Sequence, residues 1–352
     1  MRIILLGFGK VGQSLAEMLE LRHDELRKNY GLNPQVVAIV DREGAAISEE
    51  GLNLSEALNA KKNGGSVSTL RGCGKPGLQA LEVLEEVEGD ITVEVTSTNL
   101  ETGEPGLAHI QKALTLGMHV VTTNKGPLAL SLPSLVELAN RKDALLRFSG
   151  AVGSAIPVLD FAETCLYGDQ VESIRGVLNG TTNYILWRMA ESHLSLTDAL
   201  KEAERLGYAE RNVSYDLNGL DTASKLVIIA YHVMKRKASL KDVQVKGIGD
   251  ITLKEILEAE KEGFAIRLIG SINEQITVSP RKIRIEEPLC VNSALNAVEF
   301  KCVYSGKHIL IGPGAGAKET ASSIVNDIIH VSKKRLNTNL DVRENPLLRV
   351  TR

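Results

Sequence analysis

The feature that most constrains the fold is a glycine loop at residues 7–12, which directly follows the apolar run Ile3 to Leu6. Apolar residues recur at helical spacing after the loop, so the segment reads as strand, G-x-G-x-x-G and helix. In that context the first glycine permits a tight turn, the second lets the backbone approach a pyrophosphate, and the third lets the helix pack on the strand. The pattern predicts a Rossmann-type dinucleotide-binding domain. We expect the cofactor to contact Gly7, Phe8, Gly9, Lys10, Val11 and Gly12.

A second predicted strand, Gln35 to Val40, ends in Asp41 and Arg42. An acidic residue at this position accepts a hydrogen bond from the ribose 2′-hydroxyl of NAD, whereas an arginine can hold the 2′-phosphate of NADP. Asp41 would repel that phosphate and Arg42 would attract it, although an exposed arginine without a ligand is an equally good interpretation. We therefore predict NAD or NADP as the cofactor and leave the choice open.

Polar residues follow two further predicted strands. Asp90 to Val95 runs into Thr96 and Ser97, and Met118 to Thr122 is followed by Lys125. Because ligands of an open parallel sheet lie beyond the carboxyl ends of its strands, these three side chains are predicted to line the cofactor crevice. Hydroxyl residues at such a position also cap the next helix, and the two roles are compatible.

A length of 352 residues favours two domains. We predict that residues 1–150 form the dinucleotide-binding domain and that residues 311–352 return to complete it, with a helix over Glu319 to Ser332. Residues 151–310 are predicted to form an α+β substrate domain, so the chain as a whole is of the α/β class. The segment 43–77 is rich in Gly, Ser and Asn, and we interpret it as an insertion without chemistry.

Composition excludes several classes of partner. A net charge of −3 argues against a nucleic-acid ligand, and no apolar run reaches the length of a membrane span. The apolar N-terminus is too short for a signal peptide. The four cysteines have no metal-ligand spacing, which favours a reducing compartment. We therefore expect a cytoplasmic protein without a metal centre.

The stretch from Asn179 to Lys225 is dense in polar residues that alternate with apolar runs. Gly180 and Thr181 open a predicted helix, whose free amide groups suit a carboxylate. A later helix ends at a glycine, which places Tyr208 and Glu210 in its exit loop, and Asp216 is expected in a second loop. Carboxylates that must point inward are costly unless they meet a ligand, so this stretch is the candidate active site.

Asp221 and Lys225 are one helical turn apart and share a face. The plain interpretation is an exposed ion pair worth a few tenths of a kcal/mol. The helix is almost continuously apolar beyond Lys225, however, so we expect a partly desolvated lysine that can give and take a proton. Hydride transfer to or from an alcohol carbon needs such a group. Surplus carboxylates at Glu210 and Asp216 suit an ammonium, so the predicted substrate is an amino acid with a distal hydroxyl or aldehyde.

The order of motifs GFGKVG, TTNKGP, NGTTNYI, LGYAE and D-x-x-G-x-D-x-x-x-K resembles that of the homoserine dehydrogenases over nearly the full length. The resemblance implies interconversion of L-homoserine and L-aspartate 4-semialdehyde with NAD or NADP, in threonine, methionine and isoleucine biosynthesis. It also implies a homodimer joined through a sheet of the second domain. The implied catalytic residues are Lys225, Asp221 and Lys125. The implied substrate ligands are Glu210, Asp216, Tyr208, Gly180 and Thr181, and Thr96, Ser97, Lys125, Gly312 and Gly314 would lie near the nicotinamide.

Two departures from the family pattern affect these expectations. Many members bind sodium through a glutamate and backbone carbonyls in the loop matching residues 148–157, but Ser149 stands at the glutamate position. The carbonyls of Val152, Ser154 and Ile156 remain, so we expect a weak sodium site or none. The chain ends about 36 residues after Gly316, so we expect neither a fused kinase nor a regulatory domain, and no threonine feedback through one.

Two alternatives to this function remain. One is a related NAD(P) enzyme that acts on another small hydroxy or amino substrate. The other is a dinucleotide sensor without catalysis, which would not need Lys225 and Asp221 together. An aspartate-semialdehyde dehydrogenase is disfavoured because it needs a nucleophilic cysteine, and none of the four cysteines lies between residues 179 and 225.

Overall fold

The N-terminal apolar runs form the centre of a seven-stranded sheet with strand order β4-β3-β2-β1-β5-β6-β7. The computed structural model describes residues 1–209 and 213–344, with side chains through residue 334. Strands β2, β1, β5, β6 and β7 are parallel, and β3 and β4 add an antiparallel edge. The strands are β1 Arg2–Leu6, β2 Gln35–Asp41, β3 Gly44–Ile47, β4 Gly74–Pro76, β5 Ile91–Glu94, β6 His119–Thr122 and β7 Leu146–Arg147.

This sheet confirms the predicted dinucleotide-binding fold, because β2 and β5 flank β1 and create the switch point at which such folds bind their ligand. Gly7 has φ 101°, and a Cβ there would lie 2.7 Å from the Val95 carbonyl oxygen. A Cβ on Gly12 would lie 2.2 Å from the Gly7 carbonyl oxygen, so the helix packs on the turn only with glycine. The helices around the sheet are α1 Lys10–Leu21, α2 His23–Tyr30, α3 Leu54–Lys62, α4 Ala80–Glu86, α5 Gly106–Thr115 and α6 Lys125–Arg141.

The segment 43–77 is more ordered than its composition indicates. It contains β3, α3 and β4, and so extends the sheet instead of forming a featureless insertion. Asn53 caps α3 by accepting a hydrogen bond from the Glu56 amide. The two strands escape a pattern search because each is only three or four residues long and too short to show alternation.

The second domain is built on a six-stranded sheet with strand order β13-β12-β8-β10-β11-β9. Its inner face packs on α9 and α12 through residues such as Ile185, Leu226, Leu268 and Phe300. The strands are β8 Val171–Val177, β9 Val243–Val245, β10 Phe264–Ile272, β11 Ile276–Arg284, β12 Leu295–Cys302 and β13 Gly306–Pro313. The helices are α7 Gly150–Gly153, α8 Val158–Cys165, α9 Gly180–Glu191, α10 Leu196–Leu206, α11 Ser214–Leu217, α12 Leu220–His232 and α13 Leu253–Lys261.

The last helix, α14 (Ala317–Glu344), returns to the first domain. Ala321, Ile324 and Ile328 are fully buried in the cluster that contains Ile3 and Leu15. The apolar face of α14 therefore packs against the dinucleotide-binding fold. Among the helices in the described part of the chain, none combines the length and apolarity that crossing a membrane requires.

Candidate active site

Helix α12 brings Asp221 and Lys225 together in the interior. The Lys225 Nζ lies 2.7 Å from Asp221 Oδ2, and the two residues are only 6% and 9% exposed. The next five residues of α12 are also buried, which explains why this ion pair is desolvated and not a surface pair. The structure therefore agrees with the expectation of a shielded lysine oriented by an aspartate one turn earlier.

The Lys225 ammonium has a second acceptor that comes from a different element. Its Nζ donates to the Leu178 carbonyl oxygen at 2.6 Å, directly after strand β8 ends. An ammonium has three N–H groups, so among the described residues Asp221 and Leu178 leave one for a third partner. This geometry fixes the lysine nitrogen and is compatible with donation to a reacting oxygen.

Lys125 approaches Asp221 from the first domain. Its Nζ lies 3.4 Å from Asp221 Oδ1, so Asp221 is shared between two lysines. Lys125 follows β6, as the sequence predicts, and is the first residue of α6. Asn124 caps that helix by accepting from the Gly126 amide, and Pro127 in the first turn has no N–H that needs a partner.

Asn179 joins the two carboxylates of the site and was not among the predicted site residues. Its Nδ2 donates to Asp216 Oδ1 at 2.7 Å and to Asp221 Oδ2 at 2.9 Å. Its Oδ1 accepts from the Thr182 amide at 2.8 Å and so caps α9. The position of Asn179 at the start of NGTT predicts only the capping contact with the Thr182 amide. Its contacts with Asp216 and Asp221 depend on residues about 40 positions away.

The two carboxylates differ in their preference for protons. Burial would raise the pKa of Asp221, but the charges of Lys225 and Lys125 hold that pKa well below its usual range. The pKa of Asp216 is raised, first by burial and then by the neighbouring charge of Asp221. Environments that separate two pKa values in this way are typical of sites that bind or move charge.

Of the remaining predicted substrate residues, those that the structure describes lie around this cluster. Thr181 Oγ1 donates to the Tyr208 carbonyl oxygen at 2.9 Å, and the Tyr208 ring stacks on Tyr184 at 4.6 Å between centroids. Asp216 lies in the short helix α11, not in a loop. Gly180 begins α9, where a Cβ would lie 2.7 Å from the Ala294 carbonyl oxygen. Glu210 lies outside the described residues.

The predicted cofactor loop lies at the start of α1. Gly9 is the N-cap and makes no side-chain capping bond, so the helix amides remain available to an anion. Phe8 is 2% exposed and packs in the core of the first domain, which leaves only its backbone for a ligand. Lys10 is exposed and Val11 is half-buried.

Asp41 is engaged within its own domain. Its carboxylate accepts from Lys61 Nζ at 3.0 Å, Ser66 Oγ at 2.7 Å, and the amides of Glu43 and Val67 at 3.0 and 3.1 Å. Burial would raise the Asp41 pKa, but these donors lower it. Four donors occupy most of the acceptor capacity of a carboxylate, so little remains for a ribose hydroxyl. Arg42 is exposed.

Thr96 and Ser97 follow β5 at the ligand edge of the sheet. Thr96 is half-buried and bonds to Glu94, while Ser97 is exposed, and its carbonyl oxygen lies 3.4 Å from Asn124 Nδ2. Gly312 lies in β13 opposite Asn296, and Gly314 packs so closely on the Asn296 side chain that a Cβ would overlap it. The structure thus gives the neighbours of these residues within the chain, and their contacts with a cofactor stay predictions.

Comparison with known proteins identifies the family. The model for the homoserine dehydrogenase NAD-binding domain matches residues 7–149, and the model for the homoserine dehydrogenase domain matches residues 157–329. A homoserine dehydrogenase of Methanocaldococcus jannaschii is 43% identical over 94% of this chain and 98% of the relative. The chain belongs to the homoserine dehydrogenase family.

Two further family members share its length and fold. An NAD(+)-dependent homoserine dehydrogenase of Pseudomonas canavaninivorans is 33% identical over 94% of this chain and 96% of the relative. A solved hyperthermophilic archaeal homoserine dehydrogenase in complex with NADPH superposes with a TM-score of 0.83 at 30% identity, covering 95% of this chain and 98% of that one. These relatives include proteins described with each of the two cofactors.

The loop that binds sodium in many homoserine dehydrogenases is filled by protein contacts here. Ser149 Oγ donates to Asp160 and Asp327, so it does not replace the missing glutamate as a free ligand. The Ser154 carbonyl oxygen accepts from Ser323 Oγ, and the Ile156 carbonyl oxygen accepts from the Val158 amide at 2.8 Å. The donor set fits sodium poorly, and the prediction of a weak site or none is kept.

Proposed function

We propose that this chain catalyses the reversible oxidation of L-homoserine to L-aspartate 4-semialdehyde with NAD or NADP. The observation that carries the proposal is the buried Lys225, which Asp221 and the Leu178 carbonyl oxygen hold, with one of its three N–H groups unused by the described residues. Such a group can exchange a proton with the substrate oxygen while hydride crosses to the cofactor. The family assignment supports the substrate.

The chain's own residues have separate roles in this mechanism. In the reduction direction the Lys225 ammonium donates a proton to the aldehyde oxygen. In the oxidation direction its neutral amine form, which has first released one proton to solvent, accepts the proton that leaves the homoserine hydroxyl. Asp221 orients Lys225 and keeps a negative charge beside it, and Lys125 supplies a second positive charge near the same oxygen. The nicotinamide, when bound, accepts or returns the hydride.

Substrate binding follows from the same cluster. The ammonium of homoserine is held by Asp216, with Glu210 as its second carboxylate, and the free amides at Gly180 and Thr181 receive the carboxylate at the start of α9. Tyr208 closes the pocket over Thr181, which bonds to its carbonyl oxygen. A substrate without the ammonium would leave the Asp216 carboxylate unpaired, and one without the carboxylate would leave the amides at the start of α9 without an acceptor.

A spectrophotometric assay tests the function directly. We expect cofactor reduction with L-homoserine in the presence of NAD or NADP, and no comparable rate with lactate, malate or serine. Equal rates with unrelated hydroxy acids would favour the alternative that the chain is a related NAD(P) enzyme acting on another substrate. Cofactor binding without any turnover would favour the sensor.

We also propose a cytoplasmic homodimer that joins through the outer face of the second sheet. On that face Val177, Ile269 and Ala297 are buried in a cluster with Leu289 and Val291, and the exposed Ile311 lies beside them together with the ion pair of Arg175 and Glu299. The four free cysteines fit a reducing compartment.

Light scattering tests the proposed dimer and should give twice the chain mass for the wild type. Ile311→Asp, which places a charge on this face where a side chain is 51% exposed, should shift the enzyme towards monomer.

A further inference from the structure

Glu94 is a fully buried carboxylate that the mechanism above does not use. It is the last residue of β5 and has 0% exposure. Its register partners are Leu6 at the end of β1 and Thr122 at the end of β6. Glu94 therefore lies at the switch point of the first sheet, at the edge where the cofactor crevice opens.

The contacts of Glu94 are hydrogen bonds without an ion pair to a lysine or arginine. Its Oε1 accepts from the Thr96 amide at 3.0 Å and from the Thr96 hydroxyl. Its Oε2 lies 3.1 Å from Thr122 Oγ1, whose single hydrogen it shares with the Glu94 carbonyl oxygen at 2.9 Å. No lysine or arginine of the described residues lies within 4.0 Å of either oxygen. Every one of these contacts could be made by a neutral side chain, so they do not explain why a carboxylate stands here.

Two neighbours determine how closed this place is. A Cβ on Gly106 would lie 3.1 Å from Glu94 Oε2 and 2.5 Å from Asn124 Nδ2, so the start of α5 covers the carboxylate. His109 of α5 is the nearest titratable group, and its Nδ1 lies 3.8 Å from Glu94 Oε1 without any hydrogen-bond partner. That distance is too long for a hydrogen bond.

A buried carboxylate without a cation is costly, and the cost falls when a positive charge binds nearby. The oxidised nicotinamide ring carries such a charge and the reduced ring does not. We propose that Glu94 lies beneath the nicotinamide and stabilises the oxidised cofactor relative to the reduced one. The inference rests on the proposed function, because it requires the nicotinamide to bind at the ends of β1 and β5.

The same charge assists catalysis in one direction. When hydride leaves the reduced cofactor, positive charge develops on the ring, and a negative charge already fixed in a closed site stabilises that change without reorganisation. Glu94 therefore favours reduction of the aldehyde. Its bonds to Thr96 and Thr122 hold the carboxylate at the sheet edge while the cofactor changes charge.

Glu94→Gln tests the inference because it removes the charge and keeps the shape. Dissociation constants of the oxidised and reduced cofactor are measured by calorimetry on the intact enzyme at about pH 8.5, where an ordinary imidazole is neutral. We expect the ratio of oxidised to reduced constants to rise on the order of tenfold, as for unit charges about 10 Å apart at an effective dielectric constant of about 20. Glu94→Thr is a second neutral variant if the first does not fold.

Matched controls separate charge from structure. Glu94→Asp keeps the charge and disturbs the hydrogen bonds, so its ratio should stay within about twofold of the wild type. Asp90→Asn removes a charge just before β5, roughly 13 Å away along the strand, and should leave the ratio unchanged. A wild-type ratio in a folded Glu94→Gln or Glu94→Thr variant would overturn the inference alone. A wild-type enzyme that binds neither cofactor form would instead overturn the proposed function.

Discussion

In the described part of the chain, an active-site cluster and a second cluster each hold carboxylates against cations in the interior. The active-site cluster consists of Lys125, Asp221 and Lys225, with Asp216 joined through Asn179. The second, here named the Arg147 cluster, contains Arg147, Asp160, Glu163, Asp327 and His330. Apart from the exposed Glu163, both are largely shielded from water, so burial of charge does not distinguish them.

Four of the five N–H groups of the Arg147 guanidinium meet a partner among the described residues. The guanidinium bonds to Asp160, Glu163, Asp327 and His330 at once, and Ser149 donates to the two aspartates as well. Ligand atoms of Asp160, Asp327 and His330 lie within 4.8 Å of one another, as a metal would require. Because Arg147 bonds to all three, they need no further cation. The cluster ties β7 and α8 to the returning helix α14.

This difference indicates that the reactive site is the cluster whose charged groups are not all paired within the described chain. Among the described residues, Lys225 has two acceptors for its three N–H groups. The pKa of one buried aspartate is raised in each cluster, Asp216 in the first and Asp327 in the second, so that shift does not separate them. Burial would lower the Arg147 pKa, but Asp327, Glu163 and Asp160 raise it. The three carboxylates of the Arg147 cluster already meet the guanidinium, whereas Asp216 has no lysine or arginine within 4.0 Å among the described residues and can pair with a substrate ammonium.

Lys225→Ala should produce the largest effect. Removing the proton-transfer group should lower kcat for homoserine oxidation by about 10²–10⁴-fold, while the dissociation constant of the cofactor stays within about threefold. Steady-state kinetics and calorimetry on the same preparation measure both quantities. A variant with near-normal kcat would show that the two clusters do not differ in the way described.

Arg147→Ala should instead reduce stability. The substitution leaves Asp160 and Asp327 buried and unpaired, which costs about 3–5 kcal/mol of unfolding free energy. Arg141→Ala, which removes an exposed pair with Glu137, should cost at most about 1 kcal/mol. Chemical denaturation measures the loss, and kcat per folded enzyme should remain within about twofold. A large loss of kcat at unchanged stability would assign catalysis to the Arg147 cluster.

Asp216→Asn should raise KM for homoserine by roughly ten- to a hundredfold with a smaller change in kcat, because a buried charged hydrogen bond is worth about 1.5–3 kcal/mol. The wild-type carboxylate must be ionised to hold an ammonium. Since its pKa is raised, KM should increase as pH falls through values above the usual carboxyl range. The variant should lose this acid limb, and Asp198→Asn on exposed α10 should keep it. An acid limb that persists in Asp216→Asn would assign it to another group.

Parts of this architecture could be predicted from the sequence because they are local. The glycine loop at residues 7–12 and the apolar run after Lys225 each specify their structure within a few residues. The structure confirms the dinucleotide-binding fold and agrees with the shielding of Lys225. The roles assigned to Lys125, Tyr208 and the glycines of β13 stay predictions.

Other features escape sequence reasoning because their partners are far apart in the chain. Leu178 accepts from a lysine 47 residues later, and Ser149 bonds to an aspartate 178 residues later. Asp41 was interpreted from its position after β2, but its hydrogen bonds come from the segment 43–67, which the sequence left without a role. The sequence pattern around a carboxylate does not show whether donors from another segment already occupy its oxygens.

Chemical rescue of Lys225→Ala tests the central claim most directly, that this nitrogen transfers the proton. Small primary amines are added to the variant saturated with cofactor and homoserine, and the rate of cofactor reduction is followed. The account predicts that the rate rises with amine concentration and with amine basicity, while tetramethylammonium, which has no lone pair to accept a proton, restores nothing. Equal rescue by tetramethylammonium would contradict it, because a positive charge would then be all that Lys225 supplies.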